Sequence, residues 1–238
     1  MPVRSRNKRD TLIVVDAGFK TSKVFAQLFS NACLFRSLSQ IDEFSVVCFE
    51  GGTDINPAYY KSNPCSWTQS PDTGRDQMEA NIFRRAQAVG AGVLGICRGA
   101  QLACALSGGS LIQHVTGHDN GAHSMFVTNT TAQGKWSDQV IPTTSAHHQM
   151  MYPFDMELSE FRLLAYADKP RSQCYWESKE ETLRIPPVEP EVVWFPKTHS
   201  LAIQGHPEWA DQTGPYVEYC RDIVRQFLIP NPLQGCNQ

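Results

Sequence analysis

Cys97, His206 and Glu208 are the side chains whose types and settings best suit covalent chemistry in this sequence. Cys97 follows the apolar run Gly92-Val93-Leu94-Gly95-Ile96. It precedes a small-residue, helix-forming segment, Gly99-Ala100-Gln101-Leu102-Ala103-Cys104-Ala105-Leu106, which Gly108-Gly109 stops. That pattern predicts strand, sharp turn and helix, with Cys97 at the turn. A nucleophile there is pushed clear of the backbone, over the positive end of a helix. A buried structural cysteine at the end of a core strand is the competing reading for Cys97 taken alone. A cysteine nucleophile needs a base, usually distant in sequence. His206-Pro207-Glu208 offers one, with a carboxylate two positions on. Alternate residues of an extended or turning backbone point the same way. Glu208 can therefore hold the His206 ring as the third member of a triad does.

Acyl transfer also needs donors for an oxyanion. Gly51-Gly52 comes just after the strand-like run Phe44-Ser45-Val46-Val47-Cys48-Phe49, at the carboxyl end of a predicted central strand. Open α/β sheets place ligands there. An ordinary glycine turn is the alternative. The N–H after the nucleophile, that of Arg98, would be the second donor.

The elements that must position these groups read as βαβ units. Thr11–Asp16 is a buried-strand pattern, Ala32–Phe35 a second strand, and Val24–Phe29 a possible helix. Asp76–Val89 is the clearest helix, with Met78, Ile82, Ala86 and Val89 on one face and Gly90 closing it. Arg75, Asp76 and Glu79 lie in its first turns, at the same end of such a unit as Cys97. Residues 61–72 read as a polar loop, and Glu177–Pro190 as a charged, proline-rich surface excursion. Glu191–Phe195 and Leu201–Gln204 read as paired strands, and Pro215–Leu228 as an amphipathic helix. The expected fold class is α/β, an open, mostly parallel sheet flanked by helices. No repeat or low-complexity linker divides it. The expectation is one domain over 11–230, with a basic tail at 1–10 and a short tail at 231–238.

With 238 residues, 41% of them hydrophobic, the chain can bury a sizeable core. A net charge of −3 gives no field suited to nucleic acid or a membrane surface. No apolar stretch is long enough to span a bilayer. The basic run Arg4–Arg9 lacks the apolar segment of an export signal. The eight cysteines are dispersed and contain no Cys-x-x-Cys pair, which argues against a disulfide scaffold or a zinc ribbon. A cytoplasmic setting is the expectation. His114 with His118, and His147 with His148, are poor metal pairs without further ligands at matching spacing, so no metal and no cofactor is expected.

Gly95-Ile96-Cys97-Arg98-Gly99-Ala100-Gln101 resembles the nucleophile elbow of class I glutamine amidotransferases, and Gln204-Gly205-His206-Pro207-Glu208 resembles their His-Pro-Glu element. Within that superfamily the chain is most similar to the γ-glutamyl hydrolase branch, which includes γ-glutamyl-γ-aminobutyrate hydrolases. The supporting residues are Gly51-Gly52-Thr53-Asp54-Ile55-Asn56-Pro57 with Tyr60, Arg75-Asp76 with Glu79, Arg98, Gly108-Gly109-Ser110-Leu111 with Gln113, and Ser145-Ala146-His147-His148-Gln149. They run in family order from about Phe44 to Trp209. The resemblance implies a flavodoxin-like fold, Cys97 as nucleophile, His206 as base and then acid, and Glu208 as its orienter. It implies the Gly52 and Arg98 N–H groups as oxyanion hole. Gly51, Gln101, Ser145, Ala146 and His147 would lie near the glutamyl group, and Arg75 and Asp76 would shape the mouth. The chain departs from the branch in a short segment before Gly51, in Ala146 where a bulkier residue is common, and in the insert at 177–190. These departures leave the leaving group open.

The implied reaction is hydrolysis of glutamine or a γ-glutamyl amide through a γ-glutamyl thioester. Two alternatives remain: a glutaminase subunit passing ammonia to a separate synthetase or ligase, and a non-catalytic binding protein on the same fold.

Overall fold

The computed structural model describes residues 9–15, 20–119, 121–128, 134–176 and 184–229. Strands β1 (Thr11–Val15), β2 (Asn31–Leu34), β3 (Ser45–Phe49) and β4 (Gly92–Ile96) come with helices α1 (Lys20–Phe25) and α2 (Thr73–Val89), and α3 (Arg98–Leu106) follows β4 at once. Next come β5 (Ser110–Ile112), β6 (His114–Val115), β7 (Gly121–Val127), β8 (Val140–Ser145), β9 (Met150–Tyr152), β10 (Arg162–Ala167) and β11 (Tyr175–Trp176). Strands β12 (Pro190–Phe195) and β13 (Ser200–Ile203) and helix α4 (Pro215–Leu228) are the last described elements. Most of the expected tail at 1–10, the tail at 231–238 and residues 177–183 of the insert lie outside the described residues.

Nine strands form one sheet in the order β2-β1-β3-β4-β13-β12-β10-β7-β8. The first five are mutually parallel, and β12, β10, β7 and β8 extend them antiparallel. The edge strand β8 carries Pro142, where a missing N–H costs no interior ladder bond. Alternation along β1 explains the two layers. Leu12 and Val14 join β4, β13 and α4 residues such as Val217, Val224 and Leu228 on one face. Ile13 and Val15 join Ile82, Ala100 and Ala103 of α2 and α3 on the other. Each fully buried aliphatic side chain in these layers contributes about 1.5–3 kcal/mol.

Helix α2 starts earlier than the sequence pattern suggests. Asp72 caps it by accepting the Arg75 N–H at 3.0 Å, and Gly90 ends it at φ +72°. Its buried side carries Asp76, Glu79, Ala80, Ile82, Phe83 and Ala86, whereas Met78 is exposed. The apolar spacing misplaces this face by about one position, because two acids on it are buried by an arginine partner. Thr144 and Ser145 end β8, and Ala146–Gln149 form the loop after it, with His147 and Gln149 buried. Glu189, within the expected surface excursion, is also buried.

Three adjacent parallel strands, β3, β4 and β13, end side by side, with Phe49 opposite Gly95 and Ile96 opposite Ile203. Their carboxyl ends deliver Gly51-Gly52, Cys97 and His206 to one place.

Candidate active site

Cys97 links β4 to α3 at φ +51° and ψ −108°, a strained conformation for a residue with a Cβ. Its N–H donates to the Ile203 carbonyl at 2.8 Å, and its carbonyl accepts from the Gln101 N–H at 3.1 Å. The turn is tight enough to require glycine on both sides. A Cβ on Gly95 would lie 2.3 Å from the Gly99 oxygen, and one on Gly99 would lie 2.1 Å from the Phe49 oxygen.

His206 Nδ1 and Glu208 Oε1 are 2.8 Å apart. That bond leaves Nε2 for Cys97, with which the ring is also hydrogen-bonded. Burial pushes the His206 imidazolium down, but bonds and charge from Cys97 and Glu208 outweigh it and raise the group to about 9. Thr144 fixes the backbone: its hydroxyl accepts from the His206 N–H at 2.7 Å and donates to the His206 carbonyl at 2.9 Å. Trp209 stacks on the ring with centroids 3.7 Å apart.

Gly51 lies over this pair. A Cβ there would sit 2.9 Å from His206 Cε1 and 3.6 Å from the Cys97 Cβ. A Cβ on Gly52 would strike the Arg75 guanidinium at 2.3 Å. Arg75 donates to the Gly51 carbonyl at 3.1 Å and pairs with Glu79 at 2.8 Å. Arg98 pairs with both Asp76 and Glu79, and all three are buried. Asp76 also accepts the Asn56 N–H at 2.9 Å. Asp76 thus sits beneath the glycine loop, tying it to α2 and α3 through Arg98, and Arg75 holds the loop from its side.

The sequence matches the Peptidase C26 family over residues 32–167. The chain belongs to the Peptidase C26 family. A candidate glutamine amidotransferase of Mycobacterium tuberculosis is 32% identical over 120 residues, 46% of this chain. The alignment reaches 39% of that relative's length, so the chain spans well under half of it. Among solved structures, a candidate GMP synthase component from Thermoplasma acidophilum covers 92% of this chain and is itself covered to 92%, with 16% identity and a TM-score of 0.57. A Thermotoga maritima glutamine amidotransferase covers 91% of this chain and is covered to 84%, with 12% identity and a TM-score of 0.53. The CTPS glutaminase domain of Trypanosoma brucei with bound acivicin covers 90% and is covered to 92%, at 12% identity and a TM-score of 0.57. The fold is therefore that of class I glutamine amidotransferases.

In this Peptidase C26 chain a cavity of about 480 Å³ opens beside Cys97, a size usual for small-molecule sites. Gly52, Gln101, Ala146 and His147 line it. Gln101 is held by the Gln149 carbonyl at 3.0 Å. Ser145 turns away and donates to the His118 carbonyl at 2.8 Å. Burial, with His118 close by, drives the His147 imidazole well below its ordinary range, so it is neutral at pH 7.

Trp67, Gln69 and Asp119, which no motif singled out, also line the cavity, as do His114 and the motif residues Asp54, His148 and Gln149. Tryptophan in a polar loop, as at Trp67, was the available signal. His114 and His118 do not share a helix face. His114 stacks on Trp67 from β6, while His118 is buried 3.2 Å from Glu189.

Among the described residues, one group could share a cation by position. His118, His123 and Glu191 bring donor atoms within 4.8 Å of one another. Hydrogen bonds join these groups: His118 to Glu189 and Ser145 at 3.2 Å each, and His123 Nε2 to Glu191 Oε1 at 2.8 Å. The cluster reads as a buried polar network that pins β7 and β12 together behind the site.

Proposed function

We propose that the chain is a cysteine-dependent hydrolase of glutamine or γ-glutamyl amides. The observation that carries this reading is the strained Cys97 elbow facing a histidine raised to about 9 by that thiol and Glu208. Family membership and the supporting motifs favour the γ-glutamyl hydrolase branch, acting as one domain over 11–230 in the cytoplasm.

Cys97 attacks the γ-carbonyl, and the oxyanion is held by the Gly52 and Arg98 N–H groups, an interaction worth about 3–4 kcal/mol per donor. The imidazolium of His206 gives its proton to the departing nitrogen. Water then adds to the γ-glutamyl thioester, losing a proton to His206, and the Cys97 thiolate leaves. Glu208 holds the ring for both transfers. Nothing in these steps calls on a metal or organic cofactor.

Replacing Cys97 by Ala should abolish turnover of γ-glutamyl amides while circular dichroism stays unchanged. Mass spectrometry of the wild type with substrate should trap a γ-glutamyl adduct on Cys97. Wild-type rates in Cys97→Ala would sink the mechanism.

A glutaminase subunit is the second reading. It is favoured by solved folds named for a CTPS glutaminase domain and for a component of GMP synthase. It requires a partner synthetase or ligase, and glutaminase activity that rises sharply on adding one would select it. A non-catalytic scaffold would leave Cys97 unlabelled by a glutamine-analogue diazo-ketone.

A further inference from the structure

At the cavity side formed by the 61–72 loop stands an aromatic cluster. Trp67 stacks on His114 at 4.2 Å between centroids and 11° between planes. Trp176 closes the group, 5.3 Å from Trp67 and 5.5 Å from His114. Trp67 remains 43% exposed, a large apolar face left open at a pocket rim. Two carboxylates share this corner. Asp54 and Asp119 both line the cavity, and both act electrostatically on the His114 ring. Asp54 is aimed by the Gln69 N–H at 2.8 Å and by His148 at 3.0 Å.

The charges in the lining are one-sided. Among the described residues lining the cavity there is no lysine or arginine. Burial, followed by the charge of His148, lowers the imidazolium of His114, and that of His147 is lowered further. Both rings are therefore neutral at pH 7, and the two carboxylates of the corner are Asp54, hydrogen-bonded to His148, and Asp119. An anionic group entering here would lose water and meet negative charge. An ammonium would meet aromatic faces and a carboxylate, the combination that recognises organic cations.

We propose that this corner binds the leaving amine, and that this amine bears a second positive charge: the substrate class is the γ-glutamyl amide of a diamine or polyamine. The proposal rests on the hydrolase reading above and specifies its leaving group. The γ-glutamyl end lies at Cys97 and the methylene chain crosses toward Trp67, with the distal ammonium over the ring and beside Asp119. Cleavage breaks the γ C–N bond, His206 gives its proton to the leaving nitrogen, and the diamine departs. Water then releases glutamate from the thioester, so one amide and one water yield glutamate and the diamine.

The test is kcat/KM of the full chain on three amides of near-equal length: γ-glutamyl-1,4-diaminobutane, γ-glutamyl-pentylamide and γ-glutamyl-4-aminobutyrate. The diamine amide should exceed the pentylamide by roughly tenfold, with the 4-aminobutyrate amide slowest. The cation-to-neutral ratio should shrink at high salt. Asp119→Asn and Trp67→Leu should each bring that ratio toward one. Equal rates on all three, or preference for the 4-aminobutyrate amide, would overturn the proposal. So would a ratio unmoved by both substitutions. Failure on all three also overturns it. In that case, labelling of Cys97 by the glutamine-analogue diazo-ketone shows whether the nucleophile, and so the parent reading, survives.

Discussion

Trp209 lies flat against His206, its ring 3.7 Å from the imidazole and within 6° of parallel, while 56% of it stays exposed. The indole belongs to the turn that carries Glu208, so one short segment both orients the imidazole through Nδ1 and covers its face. A π-face on an imidazolium favours the charged ring by about 0.5–1 kcal/mol at an exposed site. Trp209→Ala should therefore lower kcat/KM by roughly tenfold through loss of ring position. It should also move the alkaline limb of the pH profile down by about half a unit. An unchanged rate and profile would make the ring a mere surface cover.

His206 carries the pH dependence. Burial opposes its charge, and its bonds to Cys97 and Glu208 overcome burial to hold it near 9. The imidazolium is present below about 9 and lost above it, so kcat/KM should fall as pH rises through that value. Glu208→Gln removes one of the two causes and should shift the limb downward. The same substitution has a stability signature. A histidine raised from 6.5 in the unfolded chain stabilises the fold fully below 6.5, and the contribution fades as pH approaches 9. The melting deficit of Glu208→Gln should follow that course. A deficit growing toward alkaline pH would reverse the assignment.

How much of this was legible in the sequence depends on range. The strand–Cys97–helix turn was readable because β-branched runs and glycines act locally. The pairing of Cys97 with His206 was readable only as a motif, since nothing local places β13 beside β4. Residues Trp67, His114 and Asp119 were not legible as a group: three separate segments converge there through contacts that no periodicity encodes. Met78 was misplaced for a related reason. Apolar spacing assigns the buried face of α2, but Asp76 and Glu79 take that face because Arg98 neutralises them.

Gly51 tests the geometry without touching a reacting group. Alanine there puts a methyl carbon 2.9 Å from His206 Cε1, closer than real Cβ contacts come. The imidazole must move, and displacement of a catalytic group by about 1 Å costs about 100-fold. Gly51→Ala should fold, with its melting temperature lowered by only a few degrees, and lose most of its kcat. Activity near the wild type would show that the ring has room the glycine does not provide.

Asp76 and Arg98 test what holds the elbow down. Both are buried, and Arg98 bonds Asp76 and Glu79 from the first residue of α3 while Arg75 completes the set from α2. Two cations and two anions leave no net charge in the interior. Asp76→Ala strands Arg98 beside a single remaining carboxylate that it already shares with Arg75. Breaking a buried pair from one side costs about 3–5 kcal/mol, because the abandoned charge stays desolvated. Removing both partners, as in Asp76→Ala with Arg98→Met, should cost less than Asp76→Ala alone. Urea denaturation of the two single variants and the double variant measures this directly. A cost below about 1 kcal/mol for Asp76→Ala, the range of an exposed pair, would mean that water reaches the network and that the glycine loop is held by its own turn.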